Sequence, residues 1–551
     1  MPIKEKELYI KEENMKKLVC VLLALVMVLA MAACGSKSET PVTQAAEKTD
    51  NAETTAAAAP ADESGIVRGG TLKVGKGILL STLDPTKVTA RDSDYDVICQ
   101  IYEPLVRADA NGNPVSGLAE SWDVVDDTTI VFHLRTDVKF HDGTEFNADA
   151  VKANFDYYMD EAVGAIFATE LKCVESVEVV DAATVQVNLN QPSSTFIMDL
   201  TNYSGLMIAP SALSQGAEYL ASNACGTGPF KVAEYVEGVS ISLEANPDYY
   251  RNGEDGKPLP YLDRVEISMI TDQTTKVNSL LAGDVQLTDY LTTTGIEQLE
   301  TNSDFTLQRI ATSDIYTLFC QIDDKVLSDQ KVRQALAYAV DREALAGVIT
   351  RGYGFASNWA CDPDQWFYSD YNPYTYDVEK AKSLLAEAGY PDGVTLTVQC
   401  ISREPDNTVM QVLQQQLAAA GITLVLESME RTEWVSVWTT EHTGQLGLAK
   451  MTVPRVDAYV QLNTNMGGTS ANNYSTYKGE EFNTLLQSLS GIYDADEQKE
   501  VLHKAQEVYL NDCASIFLYQ MPRYDAYANS VQNFTTLALG PWDLSQIWLA
   551  N

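Results

Sequence analysis

The side chains able to do covalent or acid–base chemistry are few and scattered. The chain has four histidines, His133, His141, His442 and His503. No two of them stand in the HExxH spacing that sets a pair around zinc on one helix face. No GxSxG elbow is present to expose a nucleophilic serine above a sheet. Gly70 to Lys76 spells GxxxxGK, but Gly77 follows where a phosphate loop needs Ser or Thr for magnesium. Asp and Glu number 77, so every carboxylate spacing occurs and no glycosidase pair stands out. The nine cysteines form no CxxC and no Cys/His cluster. The expectation is therefore no enzyme, no cofactor and no metal site.

What remains is recognition, and charge narrows it. A net charge of -39 repels phosphate and anionic lipid, which excludes nucleic acid as a partner. It serves solubility, or it attracts cationic ligands. With 551 residues the chain supports more than one hydrophobic core.

The elements that would position a binding site differ between the halves. In the first half, Thr128 to Leu134 alternates apolar and polar residues as a half-buried strand does, and Val138 to Phe140 follows a turn. Val174 to Leu189 reads as a hairpin turning at Asp181–Ala183. Between them, Val151, Phe155 and Tyr158 share a helix face behind Asn147, a cap residue. In the second half, Val332 to Val340 reads as a helix, and Val378 to Ala388 as another, stopping at Gly389 with Pro391 beyond. Val409 to Ala420 stops likewise at Gly421, and Ile422 to Glu427 follows as a strand. Helix, glycine stop and strand make the rhythm of α/β layers.

The N-terminus carries an address. Lys16 and Lys17 precede the apolar run Leu18 to Ala33, shorter than the ~20 residues of a spanning helix. It ends in Met31-Ala32-Ala33-Cys34-Gly35, which resembles a bacterial lipobox. That likeness implies cleavage before Cys34 and a lipid such as palmitate on this residue. Met15 before Lys16 is the better start for such a signal. Residues 35–67, rich in Ser, Thr, Ala, Glu and Pro, read as a disordered tether. Seven cysteines lie beyond it, and they are expected to be mostly buried thiols with one or two bridges.

Five segments recur in a consistent order. They are Leu118-Ala119-Glu120-Ser121-Trp122 running on to Val138-Lys139-Phe140-His141-Asp142-Gly143, then Gly226-Thr227-Gly228-Pro229-Phe230 with Asn246-Pro247-Asp248-Tyr249-Tyr250. Leu262-Asp263 with Leu281-Ala282-Gly283-Asp284 follows, then Val332-Arg333-Gln334-Ala335 with Ala339-Val340-Asp341-Arg342, and last Ala381-Lys382 through Glu387-Ala388-Gly389-Tyr390-Pro391. Together they resemble the bacterial extracellular solute-binding proteins of the oligopeptide, dipeptide and nickel class, family 5. The resemblance implies an α/β, two-lobed periplasmic-binding-protein-like (type II) fold with an additional β-rich subdomain and a hinge. It implies a first lobe from residues 68–110, 224–320 and 531–551, an accessory subdomain over 111–223, and a second lobe over 321–530. Ligand then binds between the lobes. An ABC permease and its ATPases are the partners of a monomer held extracytoplasmically at the cell membrane.

Site residues follow from the same resemblance. Arg91 and Asp92 lie after the Leu83-Asp84-Pro85 turn, on the ligand-lining segment. Trp434 falls at a pocket tryptophan, with Trp438 four residues on. Trp359 and Trp366 lie in a loop expected near the cleft, and Tyr316 is a similar candidate. The peptide binders hold the ligand's ammonium with an aspartate seven residues before an aromatic. If that aromatic is Tyr459, Thr452 occupies the place, with Asp457 nearby. A hydroxyl supplies no full charge to an ammonium. The ligand is an oligopeptide or dipeptide, with chelated nickel, a glutathione-like thiol or an oligosaccharide as alternatives. A secreted hydrolase and a surface adhesin or sensor are the rival classes.

Overall fold

Two fully buried strands, Ile315–Cys320 and Ser515–Gln520, show how the chain is built. Both are apolar runs without alternation, the pattern of a strand covered on both faces. They pair antiparallel at the centre of a six-stranded sheet, in the order 355–356, 515–520, 315–320, 446–451, 394–401 and 422–429. The computed structural model describes residues 65–78, 80–88, 91–109, 112–312, 314–451, 458–470, 472–492, 494–537 and 540–550.

A second sheet of seven strands runs in the order 305–310, 523–528, 287–288, 71–76, 264–269, 240–245 and 230–236. Its central strand Thr71–Lys76 pairs parallel with both Arg264–Met269 and Leu287–Thr288. The seven-stranded sheet anchors the first lobe and the six-stranded sheet the second. The chain passes between them twice, from Ile310 to Ile315 and from Gln520 to Arg523. Strand Ile315–Cys320, expected in the first lobe, therefore belongs to the second sheet, and Arg523–Ala528, expected in the second lobe, belongs to the first. An apolar run signals burial but does not say which sheet receives it.

The accessory sheet is antiparallel, in the order 119–126, 129–134, 184–189 and 174–181. In Thr129–Leu134 the buried residues are Ile130, Phe132 and Leu134, one face of the expected alternation. Helix Ala148–Met159 packs on this sheet, and the Asn147 side chain accepts from the Ala150 N–H as its cap. The accessory sheet and the first lobe share one continuous apolar core. The second lobe has its own.

The glycine motif has a steric cause. A Cβ on Gly226 would stand 2.2 Å from the Ile101 carbonyl oxygen, and one on Gly228 would stand 2.5 Å from that of Gln100. The Gly226 segment thus lies flat against the end of helix Arg91–Ile101. The seven described cysteines are free thiols, five of them buried, so the one or two expected bridges are absent among the described residues. Burial keeps them protonated: the Cys173, Cys225 and Cys513 thiols are each pushed up to about 11.

Candidate functional site

Strand register places three polar side chains in one row on the second lobe. Tyr316 lies opposite Tyr519 on one neighbouring strand and opposite Lys450 on the other. The two tyrosine rings stack with centroids 4.6 Å apart and planes inclined by 6°. Lys450 forms an ion pair with Asp314, which belongs to the first crossover between the lobes. This row faces a cavity of about 480 Å³.

The cavity lies between the lobes. The second lobe adds Ile349, Thr350, Glu404 and Pro405 to its wall. The first lobe supplies Tyr290 to Thr293, Arg523 and Tyr524, and the crossovers supply Thr312, Asp314, Met521 and Pro522. Tyr316 is 8% exposed and Tyr519 1%. Burial raises both phenols first, and the Asp406 carboxylate adds to the effect, so they stay protonated. Asp406 is itself raised by burial, against the pull of Arg403, whose Nε donates to it at 3.0 Å.

Arg523 forms the opposite wall and is held from behind. Its guanidinium donates to both carboxylate oxygens of Asp525 at 2.8 Å and to Asp96 at 2.9 Å. Asp96 also pairs with Lys76 at 2.7 Å, Lys76 pairs with Asp289 at 2.9 Å, and Asp289 pairs with Lys276 at 2.9 Å. Three cations thus meet three carboxylates, all almost wholly buried, and the formal charge closes at zero. Burial alone would lift the Asp289 carboxyl, but Lys76 and Lys276 outweigh it and hold it well below the usual range. The Tyr290 ring covers Arg523 at 4.4 Å, and the Trp542 indole N–H donates to Asp525 at 2.8 Å.

Of the residues expected at the site, Tyr316 lines the cavity. Trp359 is 1% exposed in the core of the second lobe, edge-on to Tyr509 and Phe517. Trp366 is half-buried against Phe367 in the same cluster. Trp434 is 2% exposed, stacked on Trp438 at 6.0 Å with Tyr474 edge-on. None of these three tryptophans is in the lining of the cavity. Arg91 and Asp92 open helix Arg91–Ile101, which carries Asp96 into the ionic network, but their side chains lie outside the described residues. Thr452, Asp457 and Cys34 also lie outside them. Sequence reasoning missed Tyr519, Lys450, Asp314 and Arg523. Their only signal is the pairing of strands far apart in the chain.

Two lobes, two crossovers and a cavity lined by both lobes define a cleft-type binding protein. The chain matches the family described as bacterial extracellular solute-binding proteins, family 5 Middle, over residues 113–503, and it belongs to that family. It is 32% identical over 362 residues to the glutathione-binding protein GsiB of Salmonella choleraesuis strain SC-B67, a match covering 65% of this chain and 69% of that protein. Among solved structures it is similar to the ABC transporter-associated periplasmic binding protein DppA from Helicobacter pylori in complex with the peptide STSA. There the TM-score is 0.71 at 26% identity, covering 88% of this chain and 99% of the other. HbpA2 from Haemophilus parasuis gives a TM-score of 0.80 at 26% identity, covering 88% and 100%. Among the described residues no helix is long and apolar enough to cross a membrane.

Proposed function

We propose that this chain captures a short peptide in the cleft between its lobes and delivers it to an ABC permease, without catalysing any reaction on it. The observation that carries this reading is the Tyr519–Tyr316–Lys450 row facing a cavity of about 480 Å³. That volume falls within the roughly 300–1,000 Å³ typical of small-ligand clefts. Aromatic faces accept varied side chains without demanding one sequence. A glutathione-like tripeptide is the second reading, favoured by the likeness to GsiB. Arg91, Asp92, Thr452 and Asp457 complete the proposed site, while Trp434 is left to the core of the second lobe. With threonine at position 452, a free α-ammonium gains no full counter-charge there, so free and N-acetylated dipeptides bind alike.

A lipid on Cys34 holds the protein at the outer face of the cell membrane in this reading. Cys34→Ala then releases the protein into the medium and abolishes labelling by radioactive palmitate. The central test is mass spectrometry of whatever co-purifies, followed by thermal shift with glutathione and with Ser-Thr-Ser-Ala. A probe at 100 times its dissociation constant adds about 2.7 kcal/mol of stability. An empty cleft that neither probe stabilises, nor any other peptide of two to five residues, refutes the proposal. Cleavage of a bound peptide refutes the non-catalytic part alone.

A further inference from the structure

The loop that leaves the accessory sheet reaches the second lobe. Ser194 lies between strand Thr184–Leu189 and helix Phe196–Asp199, in the body whose core belongs to the first lobe. Its backbone N–H donates to the Ser490 carbonyl at 2.9 Å, and its hydroxyl donates to the Leu489 carbonyl at 2.7 Å. Leu489 and Ser490 close helix Glu480–Ser488 in the second lobe. Carbonyls at a helix C-terminus lack partners within the helix and need donors from elsewhere. Ser194 supplies one donor to each, the Leu489 carbonyl also accepting from the Ile492 N–H at 3.1 Å.

Among the described residues, the ion pairs and hydrogen bonds between the two bodies at Arg309, Arg351 and Tyr353 have a different location. Arg309 pairs with Asp362 and Asp364, Arg351 with Glu297, and the Tyr353 hydroxyl donates to Glu300. Arg309 lies one residue before the end of the strand that leads into the first crossover, and Tyr353 packs edge-on against Tyr524, just past the second. A rotation about the crossovers moves such contacts little. The Ser194 contact is carried by elements of neither crossover, from a loop that leaves a sheet not hydrogen-bonded to either large sheet.

We infer that the accessory subdomain is a closure latch, in which Ser194 caps the helix ending at Leu489–Ser490 when the lobes are shut and releases it when they part. The inference rests on the cleft reading above for the movement of the lobes. It assigns the accessory sheet a task that binding itself does not require. A neutral hydrogen bond is worth about two- to tenfold in an equilibrium constant, so the hydroxyl alone biases closure by that factor.

The test is hydrogen exchange of the Ser194 amide in the full ligand-free chain, paired with small-angle scattering. The Ser194 amide is expected to be protected, and Ser194→Ala should speed its exchange about two- to tenfold and raise the radius of gyration. Ser193→Ala is the control, because the Ser193 hydroxyl meets Thr195 and the Cys173 thiol, both in its own body, and it should leave both readouts unchanged. Exchange at the unstructured rate in the parent protein overturns the latch, as does Ser194→Ala exchange equal to the parent's. A protected amide whose loss leaves the radius unchanged also overturns it, since the contact is then a fixed joint. Failure of the ligand reading shows instead as an empty cleft and absent thermal shifts.

Discussion

Replacing Asp289 with asparagine tests whether the cleft's first wall depends on a closed set of buried charges. The substitution keeps the side chain's shape and removes one of three carboxylates from a network whose lysines are fully buried. Asp289 faces Lys76 and Lys276, each at 2.9 Å, and it also accepts from the Gly77 N–H at 3.0 Å. At an effective dielectric of about 20, each ion contact at that distance is worth roughly 6 kcal/mol. The desolvation of the carboxylate, several kcal/mol, offsets much of this gain. The expected loss is therefore about 3–5 kcal/mol, the range for breaking a buried pair and leaving its partner uncompensated. Lys276 is the weak point, because Asp289 is its only carboxylate partner among the described residues, whereas Lys76 keeps Asp96. Equilibrium urea denaturation followed by tryptophan fluorescence reads the loss. Lys276→Met added to Asp289→Asn restores neutrality and should recover about 1–3 kcal/mol. A loss below about 1 kcal/mol in the single variant, or a double variant worse than the sum of the singles, refutes the closed-network account.

Acid should weaken the joint between the accessory subdomain and the first lobe. His141 donates from Nε2 to the Gly228 carbonyl, and burial is the main cause of its depression to about 4. Below pH 6.5 the unfolded chain binds a proton that the folded one refuses, so stability declines from pH 6.5 down to about 4, by roughly 3 kcal/mol in total. A His141→Phe chain whose stability falls just as steeply over that range rules this cause out. Gly226→Ala should cost about 2 kcal/mol or more by driving a methyl into the Ile101 carbonyl, and wild-type stability by calorimetry would contradict the close approach. Trp434→Ala should lose about 3–5 kcal/mol because the ring is packed between Trp438 and Tyr474. A urea midpoint within error of the parent's would show that the packing does not hold.

Features with a local cause were legible in the sequence. The Asn147 cap, the hairpin 174–189 and the stops at Gly389 and Gly421 are each set by a few neighbouring residues, and both glycines adopt positive φ. The Gly226 motif was legible as a turn, yet its cause is the Ile101 carbonyl, which lies 125 residues earlier in the chain. The cleft was legible only in part. Lys450 and Tyr519 reach Tyr316 through strand register, and Arg523 reaches Asp96 across more than 400 residues. Nothing near any of them in sequence marks a partner. Ile315–Cys320 carried no signal for its sheet, because a strand buried on both faces lacks the alternation that assigns one.

The crossovers and the cleft are built from the same stretches of chain. Thr312 and Asp314 belong to the first crossover, Met521 and Pro522 to the second, and all four line the cavity. Asp314 ties the first crossover to Lys450 in the second lobe, while Arg523 ties the end of the second crossover to the buried charges of the first. A solute that touches Tyr316 and Arg523 together therefore spans the pivot itself. The Arg523 wall stays fixed, because breaking its pairs would strand buried charge. The tyrosine row is then free to be the moving jaw, and contacts made only when it meets the Arg523 wall are those that favour the shut form. In the proposed reading, capture and closure share one geometric cause, the placement of the cavity against both crossovers.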